Sequence, residues 1–209
     1  MNVSDAIQSR RSTRYFDSDH KLSEQDLDRL LSAVMLAPSS FNMQNRHVVA
    51  VVDQGVKDRM RAAAWDQEHV SSASVVLVFA GRLQAWRDTD RYLRDAPAEA
   101  RATFDPMIPA FYEGKDALLR EEACRTVGLA AMSAMLTARE LGLDSCPMIG
   151  FDPVQVSEIL GLDADHPPLM LVAVGKATAE PHPRLGLLDR EEVVSLDHFD
   201  NRAFTGSIE

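Results

Sequence analysis

Three short apolar runs constrain the fold of this chain more than any other feature. Residues 47–53 read HVVAVVD, residues 75–80 read VVLVFA and residues 169–175 read LMLVAVG. Each is rich in β-branched residues, too short for a buried helix and flanked by polar sequence, which predicts three buried strands. Helical patterns fill the intervals. Residues 3–9 form a short first helix. Ser23-Glu24-Gln25-Asp26 is a capping-box-like start, and Leu27, Leu30, Leu31, Val34 and Met35 follow as one apolar stripe. Pro38 closes that segment. Residues 54–64 read as helix. Residues 115–141 give the longest helix, with a small-residue face of Val127, Ala130, Ala131, Ala134 and Ala138 and a terminator at Gly142. Asp152-Pro153 opens another helix that runs to Leu160 and stops at Gly161. Residues 82–112 are charged and aromatic with helical stretches, and residues beyond Pro181 read as extended.

Strands alternating with helices fit a dinucleotide-binding fold only if a glycine fingerprint is present. No GxGxxG follows any strand and no GxxxxGK[ST] occurs. A nucleotide-type cofactor would therefore need arginine side chains for its phosphate. The formal net charge of −10 argues against nucleic acid and anionic membranes as partners. No apolar run is long enough to span a membrane, and MNVSDAIQSRRS is too charged for a secretion signal. Cys124 and Cys146 fit no zinc spacing and point to a reduced, cytoplasmic protein. The six histidines are scattered, so no metal site is expected, and GxSxG is absent, which disfavours hydrolase chemistry.

Against this acidic background, four of the 22 Lys and Arg residues fall between positions 10 and 21. Arg10-Arg11-Ser12-Thr13-Arg14-Tyr15-Phe16 places three guanidiniums in five residues. They repel one another unless an anion joins them, and Arg forks and a Ser hydroxyl suit phosphate oxygens; the plain alternative is a solvated basic turn. Pro38-Ser39-Ser40-Phe41-Asn42-Met43-Gln44-Asn45-Arg46 is dense in groups that donate and accept, as the edge of a heterocycle requires, or is ordinary turn chemistry. Cys146-Pro147-Met148-Ile149-Gly150-Phe151-Asp152 carries a glycine that lets backbone approach a flat ligand, or is a strand-to-helix turn in which Asp152 is only an N-cap.

Together these segments resemble the FMN-dependent nitroreductase family in order and spacing. RRSxRxF stands intact at 10–16 and PSSxNxQ at 38–44; the PMIGFD segment at 147–152 resembles the family's flavin N5 loop, and His182-Pro183-Arg184 its basic tail. The resemblance covers nearly the whole chain. It implies an α+β, nitroreductase-like fold: a central, mainly antiparallel sheet flanked by helices, in one domain over residues 1–209. It also implies an intertwined homodimer, with 82–114 as a variable lid and 184–209 as a tail wrapping the partner. The alanine face of the long helix is expected at the subunit interface.

By the same resemblance, Arg10, Arg11, Ser12, Arg14 and Arg184 hold the flavin phosphate and pyrimidine edge. Ser39, Ser40, Asn42 and Gln44 reach across to the partner's flavin. Gln67 and His69 contact the ring, Pro147 and Met148 line it, and the backbone N–H groups of Ile149 and Gly150 donate to N5. Two departures stand out. Ile149 replaces an acidic residue found in many relatives, so only its backbone role carries over. Asn45-Arg46-His47 replaces a frequent Pro-Trp and alters that wall of the site.

The implied activity is hydride transfer from NADH or NADPH through FMN to a small oxidised acceptor such as a nitroaromatic or quinone, by ping-pong kinetics. Arg14 and His69 are the candidates to stabilise anionic reduced flavin. No dedicated catalytic residue is expected, because the cofactor performs the chemistry and water supplies protons. Other flavin chemistries within the family, and a flavin-binding or sensing module without turnover, remain the alternatives. The residue 82–112 aromatics Trp86, Tyr92, Phe104, Phe111 and Tyr112 are either a partly aromatic lid or core.

Overall fold

A computed structural model describes residues 1–199. The sheet has four antiparallel strands: β1 (Arg46–Val51), β2 (Val75–Gly81), β3 (Asp144–Met148) and β4 (Pro168–Gly175), in the order β1-β2-β4-β3. The three apolar runs are β1, β2 and β4. β2 and β4 occupy the centre, which is why they read as nearly continuous apolar sequence. The fourth strand was missed. Asp144-Ser145-Cys146-Pro147-Met148 carries no β-branched residue and a proline, and it is tolerated because β3 lies at the sheet edge, where a lost N–H costs no ladder bond.

Both sheet faces are covered, and the strand period of two sorts the side chains between them. Val75, Leu77, Phe79, Val172 and Val174 pack under α2 (Glu24–Met35) and α7 (Asp116–Glu140). Val76, Val78, Leu171 and Ala173 point the other way, into a core with Met60 and Ala63 of α3 (Gln54–Ala63), Val70 of α4 (Glu68–Ser72) and Val156 of α8 (Pro153–Leu160). The result is a helix–sheet–helix sandwich.

The long-helix expectation needs one correction. Val127, Ala130, Ala131, Ala134 and Ala138 are buried within the same chain, against the sheet. Small side chains there let α7 lie close on β2, β3 and β4. The opposite face of α7 exposes Leu129 and Met132.

Residues 82–112 resolve into a 3-10 turn at Ala85–Arg87, α5 (Thr89–Tyr92) and α6 (Ala98–Tyr112), with Pro106 and Pro109 inside the last helix. Trp86, Tyr92 and Tyr112 are buried with Met43, Ile108 and Leu119 in a third core, so these aromatics are structural. Phe104 packs on that core and Phe111 is exposed. Near the chain start, α1 (Val3–Ser9) is capped by Asn2 and delivers the arginine segment. The tail is extended from 181 apart from α9 (Arg190–Val193). The rest of the expected partner-wrapping tail, 200–209, lies outside the described residues. Among the described residues, no helix is long and apolar enough to cross a membrane.

Candidate functional site

The backbone of the arginine segment is tied to the sheet. Thr13 N–H donates to the Ser145 carbonyl at 3.0 Å, Asp17 N–H to Lys176 at 2.9 Å and Thr178 N–H to Tyr15 at 3.0 Å. Ser12 bridges Ser145, and Phe16 bridges Ala177 and buries its ring. This stitching along β3 and the exit of β4 aims Arg10, Arg11, Ser12 and Arg14 into one cavity of about 430 Å³, closed by His182, Pro183, Arg184 and Leu185. Arg184, remote in sequence, reaches it by donating to the Gln8 and Arg10 carbonyls, each at 3.3 Å. Arg11 is steadied by the Gln8 and Arg10 carbonyls at 2.7 and 3.0 Å.

Among the described residues, no carboxylate lines this cavity. Burial, together with the charges of Arg184 and Arg11, lowers the Arg10 pKa. Converging cations without a counter-charge are relieved by an anion, and the planar guanidinium fork suits phosphate oxygens. The residues present therefore fit the phosphate of the cofactor that the sequence resemblance implies.

The second part of the site begins where β3 ends. Ile149 is exposed and Gly150 half-buried, and among the described residues their amide N–H groups find no acceptor. Their carbonyls are engaged: Phe151 N–H donates to Ile149 O at 3.1 Å, and Gln67 Nε2 donates to Gly150 O at 2.9 Å. The turn is also tied to α3, since Asp152 N–H donates to Ala63 O at 2.8 Å. Asp152 then caps α8 through the Val154 and Gln155 amides, at 2.9 and 3.1 Å. Two unclaimed N–H groups on a braced turn suit an acceptor nitrogen of a flat ring.

Gln67 thus acts on the turn, its amide also donating to Ala64 O at 3.0 Å. His69 is buried, with Nε2 3.3 Å from the Met148 sulfur. Burial first, and the charge of Arg14 second, lower its pKa, so it is neutral at neutral pH. That leaves Arg14 as the cation candidate. Arg14 also hydrogen-bonds the buried Cys146 thiol, whose pKa burial raises, so that cysteine is no nucleophile. Arg14, Cys146, Met148 and His69 form the link between the arginine cavity and the turn. Pro147 lies in β3 between them.

Ser39, Ser40, Asn42 and Gln44 lie elsewhere in the chain. Ser40 Oγ donates to Glu122 of α7 at 2.6 Å, and Asn42 Nδ2 to the Tyr92 carbonyl at 2.8 Å. The Ser39 hydroxyl accepts from Gln44 N–H at 2.9 Å. Phe41, Asn42 and Gln44 all have positive φ, 52°, 55° and 47°. Gln44 lines a separate cavity with Arg46, His47 and Arg91. Arg46, one of the departures from the family's wall, caps α2: its Nη2 donates to the carbonyls of Val34, Met35 and Ala37 at 2.9, 2.8 and 2.9 Å.

Sequence reasoning missed Trp65. It lies between α3 and α4, and a Cβ on Gly150 would come within 3.0 Å of its ring. The sequence signal was a tryptophan-aspartate pair at a helix end, which names no role.

The model of the nitroreductase family matches residues 7–176. Protein DrgA of Synechocystis sp. is 39% identical over 181 residues, covering 86% of each chain. MhqN of Bacillus subtilis, named as an NAD(P)H nitroreductase, is 38% identical over 181 residues, covering 83% of this chain and 88% of that one. A nitroreductase of Exiguobacterium sibiricum, solved in complex with FMN, superposes with a TM-score of 0.83 at 28% identity, covering 90% of this chain and 94% of that one. With the fold, the arginine cavity and the unclaimed amides in place, the chain belongs to the nitroreductase family.

Proposed function

We propose that this protein is an FMN-dependent oxidoreductase that takes electrons from NADH or NADPH and delivers them to a small oxidised acceptor. The observation that carries the proposal is the convergence of Arg10, Arg11, Ser12, Arg14 and Arg184 on one cavity that no carboxylate lines among the described residues. The unclaimed Ile149 and Gly150 amides at the end of the adjoining strand add to it. The NAD(P)H nitroreductase name of MhqN and the FMN complex of the Exiguobacterium protein support the same assignment.

When bound, FMN supplies the two-electron chemistry, accepting hydride from NAD(P)H in one half-reaction and giving it to the acceptor in the other. A single place for donor and acceptor would make the kinetics ping-pong. The chain binds and orients. Arg10, Arg11 and Arg184 hold the phosphate, with Ser12 adding a donor. Arg14 would supply a fixed cation beside the ring, favouring negative charge there, and the Ile149 and Gly150 amides would orient its edge. Gln67 holds the Gly150 carbonyl and so keeps the amides aimed. No side chain needs to shuttle a proton, because the site opens to water.

The 39–44 loop completes the site from a second copy of the chain, in a homodimer. None of the loop's residues is among those lining the arginine cavity of the same chain, which supports a contribution in trans. Residues 82–114 would then lie over the partner's site as a lid, and the tail from 184 would wrap the partner.

The test is an absorption spectrum of purified protein after FMN addition and desalting, repeated anaerobically with each nicotinamide nucleotide. Yellow protein that bleaches with NADH or NADPH is the expected result. Yellow protein that bleaches with neither would make it a flavin-binding module, and colourless protein would remove the flavin assignment.

A further inference from the structure

Trp65 and Asp66 are consecutive non-glycine residues in left-handed backbone, with φ of 54° and 59°. L residues adopt that conformation only where their surroundings enforce it. Here the enforcement is explicit. Asp66 N–H donates to the Arg61 carbonyl at 3.0 Å, Arg61 Nε donates to Asp66 Oδ1 at 2.7 Å, and Gln67 N–H donates to Ala64 O at 3.2 Å. All this holds a large indole out in water: Trp65 is 69% exposed, whereas Trp86 is 7% exposed. A tryptophan serving only the core would be folded inward.

Gly150 lies against the ring. A Cβ built on Gly150 would come within 3.0 Å of Trp65 Cζ3, 3.5 Å of Cε3 and 3.3 Å of Gln67 Nε2. Gly150 has no side chain because the indole takes that space. The indole and the unclaimed Gly150 amide are therefore parts of one assembly, braced by the Gln67–Gly150 bond. Among the described residues, no other aromatic ring stacks on Trp65. The nearby Asp66 carboxylate is paired with Arg61, so it does not repel an uncharged electron-rich ligand.

We propose that Trp65 is the specificity-determining wall of the acceptor site, packing flat aromatic acceptors of the quinone class beside the Gly150 amide. The inference rests on the reading of the Ile149 and Gly150 amides as the edge that faces the flavin. Aromatic rings gain from offset or edge contact with an indole beyond the area they bury, and a rigid indole loses little entropy in making it. An inorganic acceptor gains nothing from such a wall.

The experiment uses the FMN-loaded enzyme as wild type, Trp65→Leu and Trp65→Phe. Flavin content and anaerobic bleaching by NAD(P)H are measured first, then steady-state kinetics with 1,4-naphthoquinone and with ferricyanide. In Trp65→Leu, flavin content stays at the wild-type level and excess NAD(P)H still bleaches the flavin completely. The kcat/KM for naphthoquinone falls about tenfold, through KM, as loss of an aromatic contact implies. Ferricyanide reduction is unchanged, and Trp65→Phe recovers most of the quinone efficiency. An unchanged naphthoquinone KM in both variants overturns the proposal, and so does an equal loss with both acceptors. Loss of flavin from both variants overturns it too, by assigning Trp65 to the cofactor. Wild-type protein that retains no flavin removes the oxidoreductase assignment itself, a failure seen before any variant is compared.

Discussion

The residues of the site divide by whether their role is written in their own type. Three arginines and a serine in five positions announce an anion site, and only the cross-strand bonds to Ser145 and Lys176 were needed to turn a basic turn into a cavity wall. Arg10 carries the most exposed consequence. It is partly buried among Arg11 and Arg184 with no carboxylate beside it, so an anion is its natural partner. Arg10→Ala removes a charge-assisted contact worth about 1.5–3 kcal/mol, which corresponds to FMN dissociation faster or weaker by roughly ten- to a hundredfold. Flavin retained on desalting as in wild type would remove Arg10 from the phosphate site. His69 shows the opposite case. Its type invites a cationic role, but its burial against Met148 makes it neutral, and nothing in the sequence around it reveals that burial. The folded pKa lies below the unfolded value of about 6.5, so below that pH the unfolded chain binds the proton first. Stability from this residue is therefore present above pH about 6.5 and is lost as the pH falls through the folded value. Melting temperatures of wild type and His69→Gln between pH 7.5 and 5 test it: the variant should show the shallower decline, and parallel curves would sink the assignment.

At the scale of elements, the sequence revealed those whose local pattern agrees with their place in the fold. α2 has a Ser23 cap and a stripe, α8 has Asp152-Pro153 and Gly161, and β2 and β4 are continuous apolar runs because both faces of the central sheet are covered. β3 was hidden because an edge strand tolerates Pro147 and needs no β-branched residues when a neighbouring segment covers it. Residues 82–112 were hidden because their aromatics belong to a satellite core shared with Met43 and Leu119, whose members are far apart in sequence. Arg46 is the sharpest example. Read beside the 38–44 motif it was a change in the wall of the site, yet one Nη2 atom answers three carbonyls at the end of α2. The last carbonyls of a helix have no partner within the helix, so their loss leaves polar groups to find water or go unpaired. Arg46→Met keeps much of the apolar stem and removes the donors. It should destabilise the protein by about 1–3 kcal/mol in chemical denaturation, with flavin binding by the arginine cavity retained in what remains folded. A variant as stable as wild type would mean that water replaces the guanidinium at no cost.

For the whole molecule, the question is what covers the surface that the sandwich leaves bare. The alanine face of α7 is spent inside the chain, so a subunit interface there must use the other side of the helix. Leu129 and Met132 are 48% and 43% exposed on that side, one helical turn apart, with Gly128 allowing close approach. Leu36, at the end of α2, and Leu185, Leu187 and Leu188, on the extended tail, are also exposed. Large apolar residues exposed side by side on one helix face, as Leu129 and Met132 are, favour an interface over free surface. A two-fold dimer also gives a role to the 39–44 loop, which does not line the arginine cavity of its own chain, since each site is then completed by the other copy. Assembly and cofactor binding become one equilibrium. With a chain mass of 23.1 kDa, the wild type should sediment at twice that value, 2 × 23.1 = 46.2 kDa. Replacing Leu129 and Met132 together by Glu places four like charges across a two-fold interface and should give the monomer mass. Because the flavin site would lose its second wall, the same variant should lose FMN on desalting even though Arg10, Arg11, Arg14 and Arg184 are untouched. A variant that remains dimeric would move the interface off α7, and a monomer that keeps its flavin would show that one chain suffices to build the site.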